Sequence, residues 1–359
     1  MASTVTARPF GETPDGRLVR LWTMHDADRG VTVSVMEWGA CIQSVRAPDR
    51  SGVSSEIALG FPRLADYLRD EYRRHNPYFG ATIGRYANRI AQSRFSLDGV
   101  EYRPQANEGP HLLHGGAEGF DGRLWSATPL DDGVRLEYTS PAGEGGFPGT
   151  VRVTVEFTLI DGDLTLETRA ESDARTVLNP TNHSYWNLAG DEAESAAGHL
   201  LRIDADSYLP VDDQLIPIGT LEPVAGSPFD FRQLGPLDER LGQNHLQLER
   251  AGGIDHSYVL RPPQDAERLR PAVTIQHPGS GRTLKFATSE PAVQLYSGNA
   301  LDGRFLGHGG RAYGRRSGIA VEPQHFPDSP NRPAFPSTVL GVGKRFTSST
   351  RMRFCTFDD

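Results

Sequence analysis

The chain has 359 residues, of which 23% are charged and 37% hydrophobic, and its formal net charge is -9. An acidic balance argues against a nucleic-acid backbone as ligand, since such sites need clustered Lys and Arg. No apolar run approaches the length of a membrane span, and two cysteines are too few for a secreted disulfide scaffold.

The predicted elements follow a period of two. Residues 31–35 (Val-Thr-Val-Ser-Val) alternate and read as a strand. Between Pro62 and Tyr72, the apolar residues Leu64, Tyr67, Leu68 and Tyr72 fall at helical spacing and predict one short helix. Residues 95–102 hold Asp98-Gly99 between two short apolar runs, which predicts a hairpin. Residues 134–138 form another strand, and the Pro- and Gly-rich stretch 140–149 a loop. From Val151 to Leu159 every odd position is apolar and every even one polar, so one face is buried and the other wet. Asp161-Gly162 then turns the chain into the alternating run 164–170, an antiparallel hairpin.

Leu237 to Leu241 predicts a further turn of helix, and Arg261 to Gln264 a loop. Short strands at 273–275, 284–286 and 293–295 follow, and 351–357 closes the chain. Strands do not alternate with long helices, so a parallel sheet is disfavoured. The expected class is all-β: a large antiparallel β-sandwich with few short helices, as one domain over residues 1–359. Cys41 and Cys355 read as reduced thiols buried in strands. The N-terminal residues carry no basic segment followed by an apolar one, so no signal peptide is predicted and the cytoplasm is the expected location.

Several segments fit neither core strand nor simple turn. Asn179-Pro-Thr-Asn-His-Ser-Tyr-Trp-Asn-Leu-Ala-Gly190 sets His183 in a polar and aromatic run. Glu322 follows the apolar residues Ile319-Ala-Val321. Histidine and glutamate are well suited to moving protons near neutral pH. Asn88 and Arg89 stand between apolar residues in 79–91, and His111 and His114 stand beside Gly115-Gly116. Asp255 precedes a strand, and Gln294 sits in one. Each has a bland alternative: Arg89 pairing with a structural carboxylate, Asp255 turning the chain, a histidine merely satisfied in the interior.

Taken together, these segments resemble the aldose 1-epimerase (galactose mutarotase) family, from about Phe10 to the C-terminus. The carrying motifs are Gly84-Arg-Tyr-Ala-Asn-Arg-Ile90, Leu113-His-Gly-Gly116, Thr181-Asn-His-Ser-Tyr185, Asp255-His256, Tyr296-Ser-Gly-Asn299 and Glu322-Pro-Gln-His-Phe-Pro-Asp328. The resemblance implies a galactose mutarotase-like supersandwich with an open sugar cleft. It implies Glu322 as general base and His183 as general acid. Arg89, His114 and Asp255 would hold the sugar hydroxyls and ring oxygen, with Asn88 and Gln294 as supporting polar contacts. Pro180, Trp186 and Ser257 depart from residues common in the family.

The implied reaction opens the ring of a free sugar and closes it on the other face of C1. A base takes the C1 hydroxyl proton while an acid protonates the ring oxygen, so no metal or other cofactor is called for. A histidinium suits the acid because its ordinary pKa lies near neutrality. Glu322 is expected to have a raised pKa if it is buried. Tyr185 and Trp186 supply either an apolar wall for the sugar or core packing. The expected partner is a monosaccharide rather than nucleic acid or membrane, with the chain a monomer or homodimer.

A non-catalytic sugar-binding or sensing protein of this fold would lack the base or the acid. A glycosidase would pair Glu322 with Asp255 and leave His183 idle. An epimerase of a pentose or a hexose 6-phosphate stays open, although phosphate would call for more than one arginine. A metal site at His111, His114, His183 and His325 lacks a supporting ligand pattern. Gly341-Val-Gly-Lys344 lacks the spacing of a phosphate loop.

Overall fold

The computed structural model of the chain describes residues 3–190, 193, 195–263 and 269–357. Three antiparallel sheets make up most of it. The five-stranded sheet runs in chain order through Thr4–Glu12, Leu18–Asp26, Val31–Met36, Cys41–Pro48 and Ser54–Glu56. The nine-stranded sheet includes Gly133–Ser140, Val151–Ile160 and Asp163–Ser172, with the last strand Arg345–Thr356 inserted between Asp163–Ser172 and Arg282–Thr288. The six-stranded sheet is ordered Tyr185–Trp186, Ile319–Gln324, Ala292–Tyr296, Asp255–Leu260, Ala205–Leu209 and Glu222–Pro223.

Alternation builds the core as expected. In Val151–Ile160 the buried residues are Val151, Val153, Val155, Phe157 and Leu159, and each paired residue of Asp163–Ser172 lies antiparallel to it. Asp161 and Gly162 take positive φ values of 52° and 77°, as a tight hairpin requires. One hydrophobic core joins all three sheets, through Val33 and Val35, through Val155 and Phe157, and through Trp186, Leu295 and Val321. Burying such side chains stabilises the fold by roughly 1.5–3 kcal/mol each.

Two expectations need correction. The predicted helix at 62–72 is two short helices, Leu64–Leu68 and Asp70–Arg74, broken at Arg69, which is extended (φ -61°, ψ 140°). In an unbroken helix Tyr67 and Tyr72 would point about 140° apart. The break lets both rings pack against Phe61, at 4.9 and 5.3 Å between centroids. Cys355 is half-buried rather than buried, because period two puts it on the face of Arg351 and Arg353, opposite Met352 and Phe354. Cys41 is buried and donates to the carbonyl of Phe79; neither Cys41 nor Cys355 is in a disulfide. The helix Leu237–Leu241 forms as predicted, and Leu246–Ala251 adds one that the pattern did not announce. Of the loop expected at Arg261 to Gln264, residues 261–263 lie outside helix and strand, and Gln264 falls outside the described residues. Among those residues no helix is long and apolar enough to cross a membrane.

Candidate active site

Strand register places one half of the site. Gln294 lies opposite Glu322 on one side and opposite Ser257 on the other, and Tyr296 lies opposite Asp255. Alternation therefore puts Asp255, Ser257, Gln294, Tyr296 and Glu322 on one face of the six-stranded sheet. Val293, Leu295 and Val321 fill the other face and the core. Gln294 donates through Nε2 to Asp255 Oδ1 at 2.6 Å. It stands behind Asp255 rather than at the cleft surface.

Loops supply the other half. Two-residue strands, Arg89–Ile90 with Leu112–Leu113 and Thr82–Ile83 with Thr181–Asn182, bring distant segments to the sheet face. Asn88 and His114 both take left-handed backbone (φ 59° and 52°) and bind each other. The Asn88 N–H donates to His114 Nδ1 at 3.2 Å, and the His114 N–H to the Asn88 carbonyl at 3.0 Å. Gly115 follows at φ 85°, where a Cβ would lie 2.0 Å from the Gly84 carbonyl oxygen, so only glycine fits. Arg89 gives Nε and one Nη to Glu108, at 2.5 and 2.7 Å. Its other Nη lies 3.9 Å from Asp255. Thus Arg89 does pair with a carboxylate, while its free edge still faces the cleft.

These residues line a cleft of about 480 Å³ that includes Tyr78, Asn88, Arg89, Glu108, His114, His183, Tyr185, Asp255, Tyr296 and Glu322. At its floor His183 Nε2 lies 3.5 Å from Glu322 Oε1. Among the described residues Glu322 Oε2 and His183 Nδ1 have no hydrogen-bond partner, although both side chains are nearly fully buried. Trp186, one residue after Tyr185, points the opposite way and packs on Phe286 and Phe354 in the core. Pro180 lies beside Trp186 on that side, whereas Ser257 is on the site face.

Burial dominates the electrostatics. It pushes Glu322 well above the usual carboxylate range, helped by Asp255 and opposed by Arg89. It pushes His183 down to about 4, opposed only by the residue's own backbone. Burial also pushes His114 well down, with His183 and Arg89 adding repulsion. For Arg89 burial works against the charge, but Asp255 and Glu108 outweigh it. Asp255 is raised by burial, against Arg89 and Gln294.

His114, His183 and Glu322 hold nitrogen and carboxylate donors within 4.8 Å of one another, the spacing of a metal site. The hydrogen bonding of His114 does not suit one. Its Nδ1 accepts from Asn88, so in the neutral ring Nε2 carries the proton and offers the cleft a donor, not a lone pair. Two ligands then remain, too few for a tight site. The other two histidines considered for a metal are engaged elsewhere: His111 with the Gln92 N–H and Gln214, His325 with Glu290.

Glu108, Tyr78, Tyr296, Asp302 and Arg304 also border the cleft and were not singled out from the sequence. Glu108 sits in the Asn-Glu-Gly-Pro turn at 107–110, where a carboxylate ordinarily signals only a solvated loop. Its proximity to Arg89 is a matter of folding, not of spacing.

The fold is that of a known class of sugar isomerase. The aldose 1-epimerase family matches residues 20–353, and the chain belongs to it. It is 40% identical to the galactose mutarotase of Homo sapiens over 354 residues (98% of this chain, 99% of the relative). To the aldose 1-epimerase of Escherichia coli it is 36% identical over 345 residues (95% and 96%). Among solved structures, galactose 1-epimerase from Lactobacillus acidophilus superposes with a TM-score of 0.85 at 25% identity, over 99% of each chain. The protein is accordingly an enzyme, an isomerase of the mutarotase kind.

Proposed function

We propose that this chain interconverts the α and β anomers of free, neutral aldohexoses such as galactose and glucose, with Glu322 as base and His183 as acid. The observation that carries the reading is the Glu322–His183 pair, buried and 3.5 Å apart at the cleft floor. The pair holds one proton. In the reacting form Glu322 is a carboxylate and His183 an imidazolium. Glu322 takes the C1 hydroxyl proton, His183 gives its proton to the ring oxygen, and the C1–O5 bond breaks to leave an open aldehyde. The proton then sits on Glu322 and His183 is neutral. Rotation about C1–C2 turns the other carbonyl face to the C5 hydroxyl. Closure reverses both transfers, so the enzyme returns to its starting form.

Burial favours the uncharged forms of both groups, and that is the protonation state of the open-chain stage. The same burial that disfavours the ion pair therefore supports ring opening. A raised carboxyl pKa also makes Glu322 a stronger base, and a lowered imidazole pKa makes His183 a stronger acid. The free edge of Arg89 is suited to stabilise charge on the ring oxygen. His114 Nε2–H is suited to donate to a sugar oxygen, and Asp255 to accept from a hydroxyl. Asn88 sets the tautomer of His114, and Gln294 holds Asp255.

Neutral sugars are favoured over phosphorylated ones because each of the two arginines at the cleft has its charge offset by a carboxylate. Arg89 is forked to Glu108, and Arg304 to Asp302. We read the chain as one domain, in keeping with its shared core, and as cytoplasmic, in keeping with two cysteines that are not in a disulfide. The test is anomer exchange by NMR across free and phosphorylated aldoses. Galactose and glucose are expected to exchange fastest; faster exchange of a hexose 6-phosphate would overturn the substrate reading.

A further inference from the structure

His183 differs from most histidines that move protons in one respect. Such rings are usually oriented by a hydrogen bond from the second nitrogen to a carboxylate or carbonyl. Here Nδ1 has none among the described residues, so the rings packed on His183 set its orientation together with the Nε2 contact to Glu322. Three rings surround it: Tyr185 at 5.0 Å, His114 at 5.0 Å and Tyr78 at 5.9 Å between centroids. Tyr185 is set by its strand and His114 by its bonds to Asn88. Tyr78 is in a loop, with left-handed backbone (φ 59°), a conformation costly for a bulky residue.

Something must hold Tyr78 there, and the structure shows what does. Asn76 Oδ1 accepts the Tyr78 N–H at 2.8 Å. Asn76 Nδ2 donates to Asp121 Oδ2, also at 2.8 Å. Behind this chain of contacts lies a second cavity of about 570 Å³, bordered by Asn76, Tyr78, Cys41 and Asp121. Asn76 and Tyr78 border both cavities, so the Tyr78 ring stands between that space and the two histidines.

We propose that Tyr78, Asn76 and Asp121 are positioning residues of the isomerisation: Asp121 anchors Asn76, Asn76 fixes Tyr78, and the Tyr78 ring orients His183 toward Glu322 and keeps its far face dry. The proposal rests on the reading of His183 as the acid. Misplacing a reacting group by about 1 Å costs on the order of 10²-fold in rate. Tyr78→Ala is therefore expected to lower kcat by about that factor, and Asn76→Ala by roughly 10-fold, with KM changed far less. Tyr78→Phe keeps the ring and is expected to retain wild-type kcat.

The test combines these kcat values, measured by polarimetry on the folded full-length chain, with an NMR titration of the His183 ring. In Tyr78→Ala the ring is expected to titrate closer to an ordinary histidine, because water reaches it from the second cavity. A residue that only stabilised the fold would lower the melting temperature and leave that titration unmoved. If His183→Asn loses activity but Tyr78→Ala and Asn76→Ala turn over at wild-type rate, this proposal fails and the acid assignment stands. If His183→Asn itself turns over normally, the acid assignment fails and takes the proposal with it.

Discussion

Asp255, Gln294 and Glu322 are carried on three neighbouring strands, whereas Arg89 lies in a two-residue strand and Asn88, His114 and His183 stand in loops beside such strands. In the first group the antiparallel ladder alone sets which side chains face the cleft. In the second, left-handed residues and side-chain contacts do that work: Asn88 with His114, Glu108 with Arg89, Asn76 with Tyr78. A rigid sheet thus presents Glu322, and a braced set of loops brings His183 to it. Removing the holders should accordingly damage the loop half, while on the sheet the largest loss should come at Glu322 itself.

The largest effect is expected on the sheet. Glu322→Gln should lower turnover by about 10²–10⁴-fold while sugar binding stays measurable by NMR titration; a near wild-type rate would remove Glu322 as the base. Next comes Glu108→Ala, which takes the carboxylate from the Arg89 fork. Charge-assisted forks of this kind set geometry as well as energy, so kcat/KM should fall on the order of 10-fold. An unchanged value would mean that the Arg89 loop needs no such brace. The smallest effect is expected for Ser257→Ala. Its Oγ is buried without a hydrogen-bond partner, so the change should leave activity within about 2-fold and stability equal or slightly higher. A large loss would show that the sheet face also depends on side-chain braces.

The same division explains what could be read from the sequence. The hairpin of Val151–Ile160 and Asp163–Ser172 was legible because alternation and Asp161-Gly162 are local signals. The residues of the site were legible as polar interruptions in apolar runs, and their family order gave them roles. Their partners were not. Glu108 meets Arg89 from 19 residues away, and Gln294 faces Glu322 only because Ala292–Tyr296 pairs with Ile319–Gln324. The break at Arg69 was hidden because both tyrosines answer to Phe61, not to helical spacing. The lowered pKa of His183 was hidden for a related reason: it follows from burial, which one sequence does not display.

The central claim is that Glu322 and His183 share a single proton across neutral pH. The sign follows from the two shifts. His183 is pushed down to about 4, so a second proton joins the pair only near that pH. Glu322 is raised well above its usual range, so the pair loses its one proton only well above that range. Such limbs belong to the pair rather than to either residue. The pH profile of kcat/KM reports the free enzyme, and polarimetry with galactose would record it. The expected result is a plateau reaching down through pH 6 to an acid limb near 4. An acid limb centred near 6.5, as an ordinary exposed histidine gives, would contradict the account.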